Sequence, residues 1–297
     1  MKLLIIDGNA IAHRAYHAIP ELTNIHGEHT NAIYGFTSML INLTNSLKPS
    51  HLIVTFDEKE VTFRKTKYAN YQAKRPVMDP WLSSQLTKIR EWLTTAGVAI
   101  YSKSGYEADD VMGTIVNKIG NWKLEIGNYE VVIVTGDRDI FQLITDKIKV
   151  YVPVKGLREG KLYGEAEVLS EFDFVPKRMI DYKALVGDSS DNYPGVTGIG
   201  PKTARDLIVK YGGIEEIYAN LDKLERRVRD KLAKGTEDAI FFKNLATIIK
   251  DVPIDFDLDK CRVWNLHAEA SVGYLASLGF KTILSRLPKP ESQGRLF

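Results

Sequence analysis

Val131-Val132-Ile133-Val134-Thr135-Gly136-Asp137-Arg138-Asp139 is an apolar, β-branched run that stops at a glycine and delivers two carboxylates just beyond it. Unbroken apolarity, with no alternation, describes a strand buried on both faces, as in a parallel sheet covered by helices. Two other runs share the form: Leu3-Leu4-Ile5-Ile6 leads into Asp7, and Leu52-Ile53-Val54-Thr55-Phe56 leads into Asp57. Val98-Ala99-Ile100-Tyr101 and Ile148-Lys149-Val150-Tyr151-Val152 are shorter candidates. Between them, Ile33 to Leu47, Trp81 to Thr95 and Asp109 to Ile119 carry helical periodicity. Strands alternating with helices predict an α/β fold whose mostly parallel central sheet is flanked by helices. After about residue 176 the strand runs stop and a helical pattern continues to about Leu287. The reading therefore divides the chain into an α/β domain over 1–176, a helical domain over 177–287, and a Pro-punctuated flexible tail over 288–297.

In open α/β sheets, ligands bind outside the carboxyl ends of the strands. Asp7, Asp57 and Asp137, with Asp139 two residues on, are delivered there by strands far apart in sequence. Carboxylates packed together repel, and some must protonate unless a cation lies between them. Glu107, Asp109 and Asp110 open a helical segment, and Asp188 and Asp191 lie three apart in Gly187-Asp188-Ser189-Ser190-Asp191-Asn192. Each acid alone has a plainer role as helix cap, first-turn acid or turn residue. Together they form an all-oxygen donor set suited to Mg²⁺, two ions or more, with Mn²⁺ able to substitute. Two such ions clamp the attacking and leaving oxygens of a phosphodiester.

The 297 residues suffice for a large core, and 40 basic against 38 acidic side chains leave a net charge of only +2. A nucleic-acid partner must then be held by local patches. A single cysteine, Cys261, excludes a disulfide framework and a Cys-rich zinc site and fits a reducing cytoplasm. The apolar run before Asp7 is far short of a signal peptide, and no stretch approaches the ~20 apolar residues of a membrane span. Two patches stand out. Pro194 to Ile208 contains Gly195, Gly198 and Gly200, followed by Lys202, Thr203 and Arg205, a helix-hairpin-helix type of turn whose backbone N–H groups can approach a DNA phosphate. Phe63 to Arg75 interleaves Arg64, Lys65, Lys67, Lys74 and Arg75 with Tyr68 and Tyr71, the pattern of a surface that grips a nucleic-acid strand.

With these motifs the chain resembles the 5′ nuclease superfamily: the 5′–3′ exonuclease domain of bacterial family A DNA polymerases, and the related flap endonucleases. The likeness covers about residues 1 to 285 and rests on Asp7-Gly8-Asn9, Thr55-Phe56-Asp57, Gly105 to Asp110, Thr135 to Asp139 and Gly187 to Ala204. It implies two metal groups, Asp7, Asp57, Glu107 and Asp109 in one, Asp137, Asp139, Asp188 and Asp191 in the other, with Asp110 as an adjacent acid. It also implies a helical arch over the site, at about residues 60 to 85, through which a 5′ single strand passes. Family members often read Tyr-Lys-x-x-Arg there. This chain reads Tyr71-Gln72-Ala73-Lys74-Arg75, so Gln72 replaces the lysine that assists the scissile phosphate, and Lys74 would have to reach the site by a rotation of the helix.

The resemblance makes the expected activity structure-selective cleavage at 5′ flaps, nicks or RNA-primed ends in replication and repair, by a monomer. The ending Gln293-Gly294-Arg295-Leu296-Phe297 resembles the short peptides that dock on the replication sliding clamp, with Gln293, Leu296 and Phe297 as contacts, and suggests a free-standing nuclease. The competing readings are a DNA-junction binder that has lost catalysis, prompted by Gln72, and an RNA-cleaving relative. A phosphatase is disfavoured because Asn9 stands where its second aspartate is needed.

Overall fold

The computed structural model describes residues 1–121, 128–155 and 159–287, so the Gln293, Leu296 and Phe297 contacts fall outside the described residues. Its strands are β1 (Lys2–Asp7), β2 (His51–Thr55), β3 (Ala99–Tyr101), β4 (Glu130–Val134), β5 (Ile148–Lys155) and β6 (Glu159–Tyr163). They form one sheet in the order β3-β2-β1-β4-β5-β6. β1 to β5 are mutually parallel, and β6 runs antiparallel to β5 at the edge. The first five match the expected runs. β6 was not anticipated, because it is polar and exposed except at Tyr163, as an edge strand with no second face to bury can be.

Alternate residues of the central strands feed two cores. Leu3, Ile5, Val131 and Ile133 pack toward the Ala108–Asn121 helix and the helices beyond residue 176, while Leu4, Ile6, Val132 and Val134 pack toward the Gly8–Ala18, Asn31–Leu47 and Pro80–Thr95 helices. These helices are α1 (Gly8–Ala18), α2 (Asn31–Leu47), α3 (Phe63–Lys67), α4 (Pro80–Thr95) and α5 (Ala108–Asn121). The chain then crosses from one core to the other. Cys261 lies in the first, whereas Trp264, Leu266, Leu275 and Ile283 lie in the second. Two bonds pin this return: Asn265 N–H donates to the Ala96 carbonyl at 2.7 Å, and Trp92 Nε1 donates to Ser271 Oγ at 3.0 Å.

The strand order reverses between β1 and β4, which opens a crevice at their carboxyl ends. The loop 187–200 reaches this edge, joining the Met179–Val186 and Pro201–Tyr211 helices. Three of its glycines, Gly187, Gly195 and Gly198, are in the left-handed region, and the first two, at φ +83° and +64°, lie against each other. Their backbones touch: a Cβ on Gly195 would lie 2.3 Å from Gly187 N. Gly195→Ala should therefore cost about 3 kcal/mol or more from clash and strain, read as a lower urea midpoint at unchanged m value. A loss within ~0.5 kcal/mol, the range of an ordinary surface change, would contradict the tight crossing.

Candidate metal centre and nucleic-acid interface

Asp7 ends β1 and caps α1, its Oδ1 accepting from Ala10 N–H at 2.9 Å. Gly8 is required beside it, since a Cβ there would meet the Phe56 ring at 2.3 Å. Thr135, at the end of β4, donates its hydroxyl to Asp7 Oδ2 at 2.8 Å and accepts from Asp137 N–H at 3.1 Å, which joins the acids of the two central strands. Asp57 Oδ1 accepts from Ala108 N–H at 2.8 Å, so it sits at the positive start of α5. Asp109 accepts no hydrogen bond and makes no ion pair among the described residues.

The electrostatics follow from this crowding. Burial, with Asp57 and Asp137 nearby, pushes Asp7 up to about 7. Burial also raises Glu107 to about 7, against the pull of Arg64. Asp109 is held well above the ordinary range by burial and by Asp137, Asp7, Glu107 and Asp57 around it. Asp57 and Asp137 are raised for the same leading reason. A carboxylate with no donor among the described residues, facing four others, is the chemistry a divalent cation fits.

The second group gathers Asp139, Asp188 and Asp191, whose ligand oxygens lie within 4.8 Å of one another. Lys183, which the sequence reading missed, lies among them, 2.5 Å from Asp139 Oδ1 and in contact with Asp188 Oδ2. Burial and Asp137 raise Asp139 to about 7 despite Lys183. For Asp188 the upward push of burial is overridden by Lys183 and Ser190, and its carboxyl is held low. The only signal for Lys183 was one cation in the turn before Gly187-Asp188.

The segment expected as a helical arch is only partly helical. It contains α3, a series of turns over 69–74, and the start of α4. Side-chain bonds and one backbone bond to a distant residue, not helix hydrogen bonds, hold its turns over the acids. Gln72 sits at φ +54°, its N–H donating to the Asp191 carbonyl at 2.9 Å. Its Nε2 donates to Glu107 Oε1 at 3.3 Å and Asp191 Oδ1 at 3.2 Å. The Tyr71 hydroxyl lies 3.1 Å from Glu107 Oε2 and 3.0 Å from Asp191 Oδ2, and Arg75 Nη2 donates to Asp191 Oδ1 at 2.7 Å. Lys74 is exposed and touches none of the acids, and no helix there can rotate it inward.

Three residues differ from their sequence-based roles. Arg64, expected on an exposed gripping face, is buried in a bidentate pair with Asp110 at 2.6 and 2.7 Å. Tyr71 is likewise buried. Asp110, expected among the metal ligands, also accepts from Glu107 N–H at 3.2 Å and Ile249 N–H at 2.9 Å. Those four donors fill the acceptor sites of a carboxylate and leave none for an ion. Its neighbour Asp109 projects about 100° away around α5, toward the cleft.

Among the other expected DNA contacts, Lys65, Lys67 and Lys202 are exposed, and Thr203 is half-buried. Tyr68 is half-buried, its ring packing edge-on against Phe241 and Phe242. Gly200 caps the Pro201–Tyr211 helix, Gly198 is left-handed at φ +83°, and Arg205 pairs with Asp173 at 3.3 Å. No described helix is long and apolar enough to cross a membrane.

Residues 2–173 match the 5′-3′ exonuclease N-terminal resolvase-like domain, and residues 174–269 match the 5′-3′ exonuclease C-terminal SAM fold. The chain belongs to the 5′-3′ exonuclease family. Among relatives, it is 42% identical to DNA polymerase I of Caldicellulosiruptor bescii over 291 residues, which is 97% of this chain and 33% of that protein. It is 36% identical to DNA polymerase I of Bacillus subtilis over 293 residues, 98% of this chain and again 33% of the relative. The chain thus spans about a third of the length of the curated relatives it matches. In fold it is similar to the bacteriophage T5 flap endonuclease, solved in a pseudo-enzyme-product complex with DNA and metal ions (TM-score 0.67, 20% identity, 96% of each chain). It is also similar to the catalytic core of Rad2 in complex with DNA substrate (TM-score 0.55, 16% identity, 93% of this chain and 87% of the other). Family membership makes the chain a nuclease, the activity that the strand-end aspartates had pointed to.

Proposed function

We propose that this protein is a divalent-metal-dependent, structure-selective 5′ nuclease that hydrolyses phosphodiesters at 5′ flaps, nicks and single-stranded 5′ ends of DNA. The observation that carries the reading is Asp109, a carboxylate without a donor among the described residues, ringed by Asp7, Asp57, Glu107 and Asp137. Asp7, Asp57, Glu107 and Asp109 would hold one ion, and Asp137, Asp139, Asp188 and Asp191 a second, with Mg²⁺ the hard, oxygen-seeking choice and Mn²⁺ able to replace it. Bound divalent ions supply Lewis acidity to the scissile phosphodiester and to the attacking water.

The chain's own groups do the rest. Tyr71 and Gln72 orient Glu107 and Asp191 through the bonds described above. Arg75, half-exposed on the arch and paired with Asp191, would be the cation that meets the phosphate. The N–H groups opening the Pro201–Tyr211 helix, with Lys202 and Thr203, would hold a duplex phosphate, and Lys65 and Lys67 the strand entering the arch. RNA-primed 5′ ends fall in the same substrate class, since the acids address the phosphodiester and not the sugar. A cytoplasmic monomer docked on a sliding clamp through Gln293, Leu296 and Phe297 completes the proposal. Deleting 293–297 should abolish clamp binding while leaving unstimulated cleavage intact.

The test is cleavage of a 5′-flap DNA in Mg²⁺, in Mn²⁺ and in chelator, with a 3′-flap substrate beside it. Metal-dependent cutting near the 5′-flap junction, leaving a 5′-phosphate, supports the reading. Tight flap binding without cutting in either metal would make the protein a junction binder, the alternative that Gln72 favours. Gln72→Lys should raise the single-turnover rate by about tenfold if the arch cation limits the step. An unchanged rate would show that Arg75 already serves.

A further inference from the structure

Trp81 lies at the start of α4 and is 50% exposed, an unusual position for the largest apolar ring. It is nevertheless fixed in place. Its ring stacks on His29 with centroids 3.8 Å apart and planes 18° from parallel. Its backbone N–H donates to Asp79 Oδ1 at 2.8 Å, and Asp79 Oδ2 accepts from the Tyr16 hydroxyl at 2.9 Å. His29 is held from its own side, by a bridge to Thr23 and by the Lys88–Glu28 ion pair at 2.7 Å that ties its loop to α4. One face of the indole is thus covered by a ring of similar plane, while half of the residue's surface stays exposed.

The pair lies on the same edge of the sheet as the acids. α2 and α4 each precede a parallel strand, β2 and β3, so both begin at the carboxyl edge where Asp7 ends β1. From Asp7 to Tyr16, which holds Asp79, is nine residues of α1, or about 14 Å. That distance corresponds to about four nucleotides stacked at ~3.4 Å each. Lys74, exposed and without an ion pair among the described residues, and Arg75 supply positive charge on the stretch leading to Trp81, while the acids beside the rings, Asp79 and Glu28, are engaged by Tyr16 and Lys88.

We propose that Trp81, backed by His29, is a stacking platform for a base of the single-stranded 5′ flap, reached about four nucleotides from the acids. The proposal rests on the 5′ nuclease reading and extends it to flap length: the enzyme grips long flaps better than short ones. A flat aromatic face accepts any base, so the preference is for length and not for sequence.

The experiment measures affinity in chelator for a nicked duplex, a flap of one nucleotide and a flap of eight. The wild type should bind the long flap more tightly than the other two. Trp81→Ala should lower the ratio of long-flap to nick affinity by about tenfold, the size of one base–aromatic stack. His29→Ala should lower it less, and Trp81→Phe should keep most of it. Tryptophan emission should be quenched by the long flap in the wild type and much less in Trp81→Phe. Equal loss on all three substrates, or an unchanged ratio in both Trp81→Ala and His29→Ala, would overturn the platform. A wild type that binds these DNAs with the predicted length dependence but never cuts them would sink the nuclease reading and leave the platform standing.

Discussion

Asp137→Ala should reduce flap cleavage by at least about a thousandfold while leaving flap affinity in chelator within about twofold of the wild type. The size follows from what the residue holds. Its side chain accepts from Asp139 N–H at 2.8 Å, and its backbone is tied to Asp7 through Thr135, so it stands between the two metal groups. Loss of one preorganised electrostatic partner already costs roughly a hundred- to a thousandfold, and here the lost group positions the ion itself. The same variant should be more stable than the wild type without metal. Burial and neighbouring acids raise Asp137, Asp109 and Asp7, so the folded protein carries unrelieved repulsion that the substitution removes. Activity assays, flap binding and thermal unfolding in chelator check all three. Residual Mg²⁺-dependent cutting, or parallel loss of binding and cutting, would remove Asp137 from the metal site.

Arg64→Met should destabilise the fold by about 3–5 kcal/mol. Arg64 is 3% exposed. Besides the two bonds to Asp110, it donates to the carbonyls of Leu245 at 2.9 Å and Thr247 at 2.9 Å and to Glu107 Oε2 at 3.1 Å. Methionine fills much of the space but leaves the Asp110 carboxylate in the core without its counter-charge. Adding Asp110→Leu should recover part of the loss, because the worst state is one buried charge alone. Urea unfolding of the single and double variants measures this. A single-variant loss below about 1 kcal/mol would mean the pair is worth no more than a surface ion pair. Metal affinity should fall with stability, since Glu107 loses the cation that orients it.

The central sheet was legible because strands buried on both faces cannot hide their apolarity, and because such strands deliver whatever follows them to one edge. Asp7, Asp57 and Asp137 could therefore be placed together without knowing the path between them. The arch was less legible. Its basic and aromatic residues read as an exposed helix, yet Tyr71 and Gln72 are bonded to Glu107 and Asp191, partners too distant in sequence for any local pattern to reveal. Arg64 was opaque for the same reason, as its counter-charge lies 46 positions away. Asp109 and Asp110 are equivalent as letters. Only the rotation of α5 sends one to the cleft and the other to the core.

The return of the chain across the sheet also sets a schedule for synthesis. The apolar sides of α2 and α4 and the outer face of β4 are complete once residue 134 has been made, yet Leu266, Leu275 and Ile283, which close over that core, follow more than a hundred residues later. At about 5–20 residues per second, that core waits roughly seven to thirty seconds for its cover. A nascent chain in this state shows the ribosome's surroundings a greasy flank beside a nearly finished sheet. Holding factors should therefore engage it once β4 has emerged and let go only when the helices carrying Leu275 and Ile283 have docked.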